Sequence, residues 1–308
     1  MVALGEVPGE VTARGGWRFQ FPAEASTLSD VIRDKVITVS VAAAAGQHGL
    51  PVRRSRHAVT YQVRAGGVRP EALDAFVKVY DPARGLGGAL RHIMGGGRAA
   101  HAARISAALA ARGFGVPRVI LCGEEAATGR TMMVAERAAG TSIAAFLAEP
   151  SGPQAERRML RKREVLRALG TEIARLHRAG FIHGDLTPYN VFVADSAPIC
   201  FTFIDHDRTR RAFAIGRRRR QLRNFVQLLR FDLPRLTASD RLRIFQAWTA
   251  GLDLQRRNSI MHRGFKMLKL RIARDSRKLS YAKAEQGMAT AGPAIAGKAG
   301  AERADVAG

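Results

Sequence analysis

Alternating apolar and polar positions mark three strand-like runs early in the chain. Val36 to Val41 reads VITVSV, Ala58 to Val63 reads AVTYQV, and Ala75 to Tyr80 reads AFVKVY. Each is rich in β-branched or aromatic residues, and turn-like links join them, which predicts an antiparallel meander. Trp17 to Phe21 also alternates and predicts an edge strand. The period then changes. Arg98 to Arg112 is alanine-rich, with Ile105 and Leu109 on one face and Gly113 as a stop, which predicts a helix. Pro117 to Cys122 and Thr131 to Ala135 predict two further strands before a break at Gly140.

Beyond Ser142 the pattern is mostly helical. Ile143 to Leu147 starts a short helix. Arg157 to Arg178 forms a long one, with Leu166, Leu169, Ile173 and Leu176 three and four apart and Gly180 at its end. Val191 to Val193 and Ile199 to Ile204 read as short strands. Leu222, Val226 and Leu229 form one helical face, and Leu242, Phe245 and Trp248 form another. Met261 to Arg274 predicts a last, basic helix. The Ala- and Gly-rich tail from about 284 predicts disorder. Strands with one helix, followed by helices, give an α+β protein of two lobes, and 308 residues suit that size.

One short segment stands out chemically: His183-Gly184-Asp185-Leu186-Thr187-Pro188-Tyr189-Asn190. It follows the long helix and precedes a strand, and Pro188 blocks helical continuation, so a loop holds Asp185 and Asn190. A carboxylate there can take a proton from a hydroxyl, and an amide oxygen can bind a metal. Phe203-Ile204-Asp205-His206-Asp207 follows, an apolar strand that ends in an acid. Asp185, Asn190 and Asp205 together form a hard, oxygen-rich set suited to Mg²⁺. Taken singly, each of these residues reads as an ordinary turn or cap residue; their joint spacing points to phosphoryl transfer.

Charge narrows the partners. Fifty Lys and Arg against 26 Asp and Glu give a net charge of +24, a field that attracts polyanions such as nucleic acid, anionic lipid or phosphorylated glycans. A solvated basic surface accounts for the same numbers. No RNP, KH or zinc-finger pattern supports nucleic-acid binding. Cys122 and Cys200 lie in apolar runs and are expected to be buried free thiols of a reducing compartment. With no secretory leader and no transmembrane run, a cytoplasmic protein is expected, peripheral on the cytoplasmic face of the inner membrane if it meets a bilayer.

HGDLTPYN and the following IDHD resemble the catalytic loop and metal-binding Asp of the protein-kinase-like fold, in a form nearer to small-molecule and sugar kinases. Val77-Lys78-Val79-Tyr80 resembles the strand lysine that pairs with ATP phosphates. Met133 to Ala138 resembles the hinge, with Glu136 and Ala138 contacting the adenine. The order KVYDP, RGFGVPRV, AERAAGTSI, HGDLTPYN and FIDHDRTRR, from about 35 to 250, resembles the lipopolysaccharide kinases, which phosphorylate Kdo or heptose. That resemblance implies an N-terminal extension over 1–34, an N-lobe over 35–138 with an antiparallel sheet and one helix, a helical C-lobe over 139–283 and a tail over 284–308. It also implies ATP and Mg²⁺ as cofactors, Asp185 as catalytic residue, Lys78, Glu136 and Ala138 as ATP-binding residues, and Asn190 and Asp205 as metal ligands. Arg208, Arg210 and Arg211, followed by Arg217 to Arg220, would face an anionic glycolipid acceptor.

The chain departs from the kinase pattern in two places. No Glu occurs between Glu71 and Glu124, and Ala103 or Arg104 stands where the helix Glu partner of the strand lysine is expected. The Gly-rich phosphate loop is reduced to Ala45-Gly46-Gln47-His48-Gly49, near Arg53, Arg54 and Arg56. Two alternatives therefore stay open: a pseudokinase-like binding protein at the membrane surface, and a protein Ser/Thr kinase.

Overall fold

The computed structural model describes residues 11–22, 25, 28–47, 51–55, 57–65, 73–82, 97–149, 155–212, 216–231 and 233–290. The N-lobe is built on a seven-stranded antiparallel sheet. Its strands are β1 (Val11–Arg14), β2 (Trp17–Gln20), β3 (Arg53–Arg54), β4 (Ala58–Ala65), β5 (Leu73–Tyr80), β6 (Val119–Glu125) and β7 (Thr131–Glu136), in the order β1-β2-β6-β7-β5-β4-β3. Segment 11–20, part of the expected N-terminal extension, thus supplies two strands of the sheet. Trp17 to Gln20 lies inside the sheet rather than at its edge, because β1 covers its outer side.

The expected strand VITVSV is instead part of α1 (Asp30–Ala44). Its buried residues Val36, Ile37, Ser40, Ala43 and Ala44 follow a helical stripe, and that stripe packs on β4 and β5. Tertiary burial here outweighs the strand preference of the β-branched residues. Among the described residues the N-lobe therefore carries two helices rather than the one expected. The second, α2 (Gly97–Ala110), crosses between the lobes. Its Ala99 packs with Ala58 and Tyr80, while Leu109 enters the core of the C-lobe. The expected phosphate-loop substitute is a turn at Ala45–Gly46 after α1; His48, Gly49 and Arg56 lie outside the described residues.

The C-lobe contains α3 (Ile143–Ala148), α4 (Ala155–Arg178), α5 (Arg217–Leu229), α6 (Ala238–Trp248) and α7 (Leu254–Thr290). The last helix is much longer than the expected 261–274 and continues past 284 to Thr290; residues 291–308 lie outside the described residues. Two small sheets carry the loops of interest. Strands β8 (Thr141–Ser142), β10 (Val191–Val193) and β11 (Phe201–Phe203) form one, and β9 (Phe181–Ile182) pairs with β12 (Arg210–Arg211) in the other. No helix among the described residues is long and apolar enough to cross a membrane.

The helical core is aromatic. Phe225 stacks on Trp248 at 4.3 Å, and Phe245 meets both edge-on. Helices α4 and α6 approach closely because position 170 has no side chain. A Cβ on Gly170 would lie 2.4 Å from the Ile244 carbonyl oxygen and 2.8 Å from Ala247 Cβ. Helix α6 starts on a capping box in which Thr237 and Asp240 exchange hydrogen bonds, an arrangement that stabilises a helix start by about 1 kcal/mol. Gly170→Ala is expected to destabilise the protein by about 1–3 kcal/mol in urea unfolding. Gly251→Ala, whose Cβ meets nothing within 4 Å, should stay within about 0.5 kcal/mol of the parent.

Candidate active site

Strand β5 sets the first group. Leu73, Ala75, Val77 and Val79 alternate into the core beneath α1, so Lys78 and Tyr80 project from the opposite face. Tyr80 is buried, and the Lys78 ammonium lies 5.1 Å from its ring centroid. Lys78 then crosses to the C-lobe. Its Nζ forms a short ion pair with Asp205 and lies 3.7 Å from Asp207 Oδ2. The carboxylates that meet this lysine therefore come from the IDHD segment. On helix α2, where Ala103 or Arg104 is the expected place of a Glu, Ala103 is buried, and His101 Nε2 lies 2.9 Å from the Thr209 carbonyl oxygen.

Asp205 follows β11 in a left-handed conformation, with φ 67° and ψ 61°. Such a backbone costs a non-glycine residue about 1–2 kcal/mol, so its surroundings must hold it there. Buried His206 does so on one side, its Nε2–H donating to the Phe203 carbonyl oxygen at 2.9 Å. On the other side, the Ile204 amide donates to the Asn190 carbonyl oxygen at 3.0 Å. Burial raises the Asp205 carboxyl, but Lys78 more than offsets this and leaves it below the usual range. Asp207, where burial outweighs the same lysine, is held above it.

The loop from His183 to Asn190 is laced to that segment. Thr209 Oγ1 donates to the His183 carbonyl oxygen at 3.0 Å, and His183 Nε2–H donates to the Ile204 carbonyl oxygen at 3.0 Å. Position 184 must be glycine: its φ is +75°, and a Cβ would lie 2.3 Å from the Arg208 carbonyl oxygen. Asp185 is fixed from two directions. Asn190 Nδ2 donates to its carbonyl oxygen at 2.9 Å, and Gln227 Nε2 on α5 donates to its Oδ1 at 2.7 Å. Asn190 Oδ1 is buried and has no hydrogen-bond partner among the described residues.

Beneath the loop runs a buried polar relay. Trp248 Nε1–H donates to His177 Nδ1 at 3.0 Å, which makes His177 a neutral Nε2–H tautomer. That Nε2–H donates to Asn224 Oδ1 at 3.1 Å, which also accepts from the His183 amide at 3.3 Å. Burial holds the His177 imidazole down at about 4 and His206 at about 3, and it also lowers His183.

At the end of β7, in the segment expected to form the hinge, the Glu136 carboxylate pairs with Arg118 at 2.5 Å. The Glu136 amide donates to the Arg118 carbonyl oxygen and the Arg137 amide to that of Asp74, each at 2.9 Å. Ala138 is buried just beyond them. Arg208, Arg210 and Arg211 are exposed and, with Arg98 and Arg220, line a cavity of about 600 Å³ that also includes Gly184 and Asp207. The structure thus brings Lys78, Asp205 and Asp207 together in one cluster, and Asp185 and Asn190 in another on the adjoining loop. Cys122 is half-buried, its thiol pushed up to about 12 by burial, whereas Cys200 is exposed rather than buried, because it leads into β11 from a surface turn. Both are free thiols.

Sequence reasoning missed Gln227 and Asn224. Each lies in the helical run NFVQLL as an ordinary polar residue, and its partner is more than 40 positions away. Arg98 was legible only as the start of a helix.

Residues 88–248 match the model of the Lipopolysaccharide kinase (Kdo/WaaP) family. A solved structure titled "WaaP in complex with acyl carrier protein" superposes with a TM-score of 0.51 at 19% identity, covering 74% of this chain and 91% of that one. No curated protein matches the chain.

The buried histidines predict acid sensitivity. Their folded pKa values lie below the unfolded value of 6.5, so below about 6.5 the unfolded chain binds more protons and stability falls with pH. Unfolding free energy measured between pH 7 and pH 5 should drop by up to about 1.4 kcal/mol per unit for each such histidine. His177→Gln should give a shallower slope; an unchanged slope would exclude His177 as a contributor.

Proposed function

The chain belongs to the lipopolysaccharide kinase (Kdo/WaaP) family, and on that footing we propose that it transfers the γ-phosphate of ATP to a sugar hydroxyl of an anionic lipopolysaccharide core. The observation that carries this reading is the ion pair from Lys78 on the N-lobe sheet to Asp205, alongside a loop that fixes Asp185 through both Asn190 and Gln227.

Magnesium fits the residues present. Asn190 Oδ1 is a buried oxygen without a partner among the described residues, next to a loop ending in Asp205. No group of three or more His, Cys, Asp or Glu side chains among the described residues could hold a metal by itself. That suits an ion that keeps phosphate oxygens and water as its other ligands. Asn190 and Asp205 would hold it, and when bound it neutralises phosphate charge.

The chain's own groups have distinct tasks. Asp185 Oδ2 takes the proton of the acceptor hydroxyl as that oxygen bonds phosphorus and the bond to the ADP leaving group breaks. Gln227 holds Oδ1 at 2.7 Å, while Oδ2 takes only a long hydrogen bond of 3.5 Å from Asn190 Nδ2 and is the oxygen left for the acceptor. Lys78 exchanges carboxylate for phosphate oxygens, and Asp207 gives it a second anchor in place of the absent helix Glu. The Ala138 amide has no hydrogen-bond partner among the described residues and faces the adenine in this reading. Arg208, Arg210 and Arg211 draw the carboxylates and phosphates of the acceptor to the cavity beside Gly184 and Asp207.

The test is phosphate transfer from Mg-ATP to Kdo- or heptose-containing acceptors. Asp185→Asn should lower kcat by about 10²–10⁴-fold with the ATP KM little changed. Transfer to protein substrates alone, or to none, would overturn the sugar-kinase reading. Gln227→Leu should lower kcat with no change in thermal stability beyond about 1 kcal/mol, and restoration by Gln227→Asn or Gln227→His would tie the loss to the Asp185 hydrogen bond.

A further inference from the structure

Away from the candidate active site, a groove of about 1100 Å³ lies between the end of α4, the start of α5 and the first half of α7. Its rim is cationic. Arg217, Arg218 and Arg219 stand on α5, and Arg256, Arg263 and Lys266 on α7, all exposed. No Asp or Glu lines it among the described residues. Only Arg256 of these six forms an ion pair with a carboxylate, Asp253, among the described residues. The floor is apolar, made by Trp248, Ile260 and Met267, and Leu252 and Leu270 are 39% and 63% exposed at its edges.

We propose that this groove docks the anionic headgroup layer of a phospholipid bilayer. Three observations favour that partner. An uncompensated cationic rim around aliphatic side chains matches phosphate headgroups above an acyl boundary. Exposed Leu270 lies one turn beyond Lys266 and next to Lys269 on one helix, so apolar and basic groups reach the surface together. The groove also adjoins the arginine-lined cavity of the candidate active site across the first turn of α5. Arg217 to Arg219 line the groove, and the next residue, Arg220, lines the cavity beside Gly184 and Asp207. A bilayer on the groove would therefore bring a membrane-anchored acceptor to the loop that carries Asp185. This last point rests on the kinase reading; the docking surface does not. A polynucleotide is a poorer match, since the rings lining the groove among the described residues are Trp248 and the buried His177 that packs against it, and single-stranded binding relies on several accessible stacking rings.

The experiment is flotation of the full chain with vesicles of phosphatidylglycerol and phosphatidylethanolamine, against vesicles of phosphatidylcholine alone. Binding to the anionic vesicles, weakened by salt, is expected. Reversing Arg178, Arg256, Arg263 and Lys266 to Glu, all exposed in the groove and apart from the acceptor arginines, should reduce partitioning by about a hundredfold or more. Reversing Arg18, Arg53, Arg54 and Arg157, which are exposed and do not line the groove, should reduce it far less. Leu270→Ser should weaken binding without altering its salt dependence. Equal losses from the two fourfold variants, no preference for anionic vesicles, or capture of an acidic protein or oligonucleotide by a groove that ignores vesicles would overturn the proposal. Turnover separates it from the kinase reading. The groove variant should phosphorylate a water-soluble, deacylated core oligosaccharide at the parent rate and lose activity on the same glycolipid in vesicles. If the parent protein phosphorylates neither, the kinase reading fails while the flotation result stands.

Discussion

The structure depends on one ion pair that crosses between its lobes. Lys78 leaves the N-lobe sheet on the face opposite the α1 core, and Asp205 leaves β11 in a backbone conformation that only its neighbours can sustain. At contact distance such a pair attracts by about 4 kcal/mol at a partly screened surface, before the cost of desolvating both groups is counted. Asp207 adds a second carboxylate to the same ammonium. The arrangement is self-contained: lysine and acids satisfy one another without a Glu from the following helix. Nucleotide phosphates and a divalent cation would divide this cluster between them, the cation taking Asp205 and the phosphates taking Lys78. The missing Glu thus reads as a change in which chain segment restrains the lysine, rather than as a lysine left without restraint.

Much of this was legible in the residue pattern. The alternation of AFVKVY sends Lys78 away from Val77 and Val79, and that is its position in the sheet. The loop placement of HGDLTPYN followed from Pro188 and from the flanking helix and strand. The run VITVSV misled because its β-branched residues mimic period two, while the burial of Val36, Ile37, Ser40, Ala43 and Ala44 has the spacing of a helix. The alanines that complete this stripe lie past the apparent strand, so a short window cannot see it. The supports of the candidate site were not legible for a different reason. The Trp248–His177–Asn224–His183 relay and the Gln227–Asp185 bond join residues 41 to 71 positions apart, through helices whose packing no local pattern reveals.

Charge shows a similar division. A net charge of +24 named a class of partner without naming a place. The fold separates the basic residues into those that face carboxylates and those that do not. Arg118, Arg130 and Arg175 pair with Glu136, Glu125 and Glu172 and belong to the scaffold. The arginines at the start of α5 have no such partners among the described residues, and they stand between two concave surfaces. The same composition thus serves both cohesion and recognition, and only position tells them apart.

The close pass of the Arg208 carbonyl over Gly184 also shapes which sequences this chain can reach by mutation. A side chain at 184 is excluded as long as the segment from 205 to 209 keeps its course, and that course is in turn set by Thr209 bonding back to His183. Neither segment can drift alone. Any side chain at this position has to displace both segments at once, so a substitution there is open only to a chain in which both have already moved. The glycine acts as an evolutionary latch, holding the chain on its own branch.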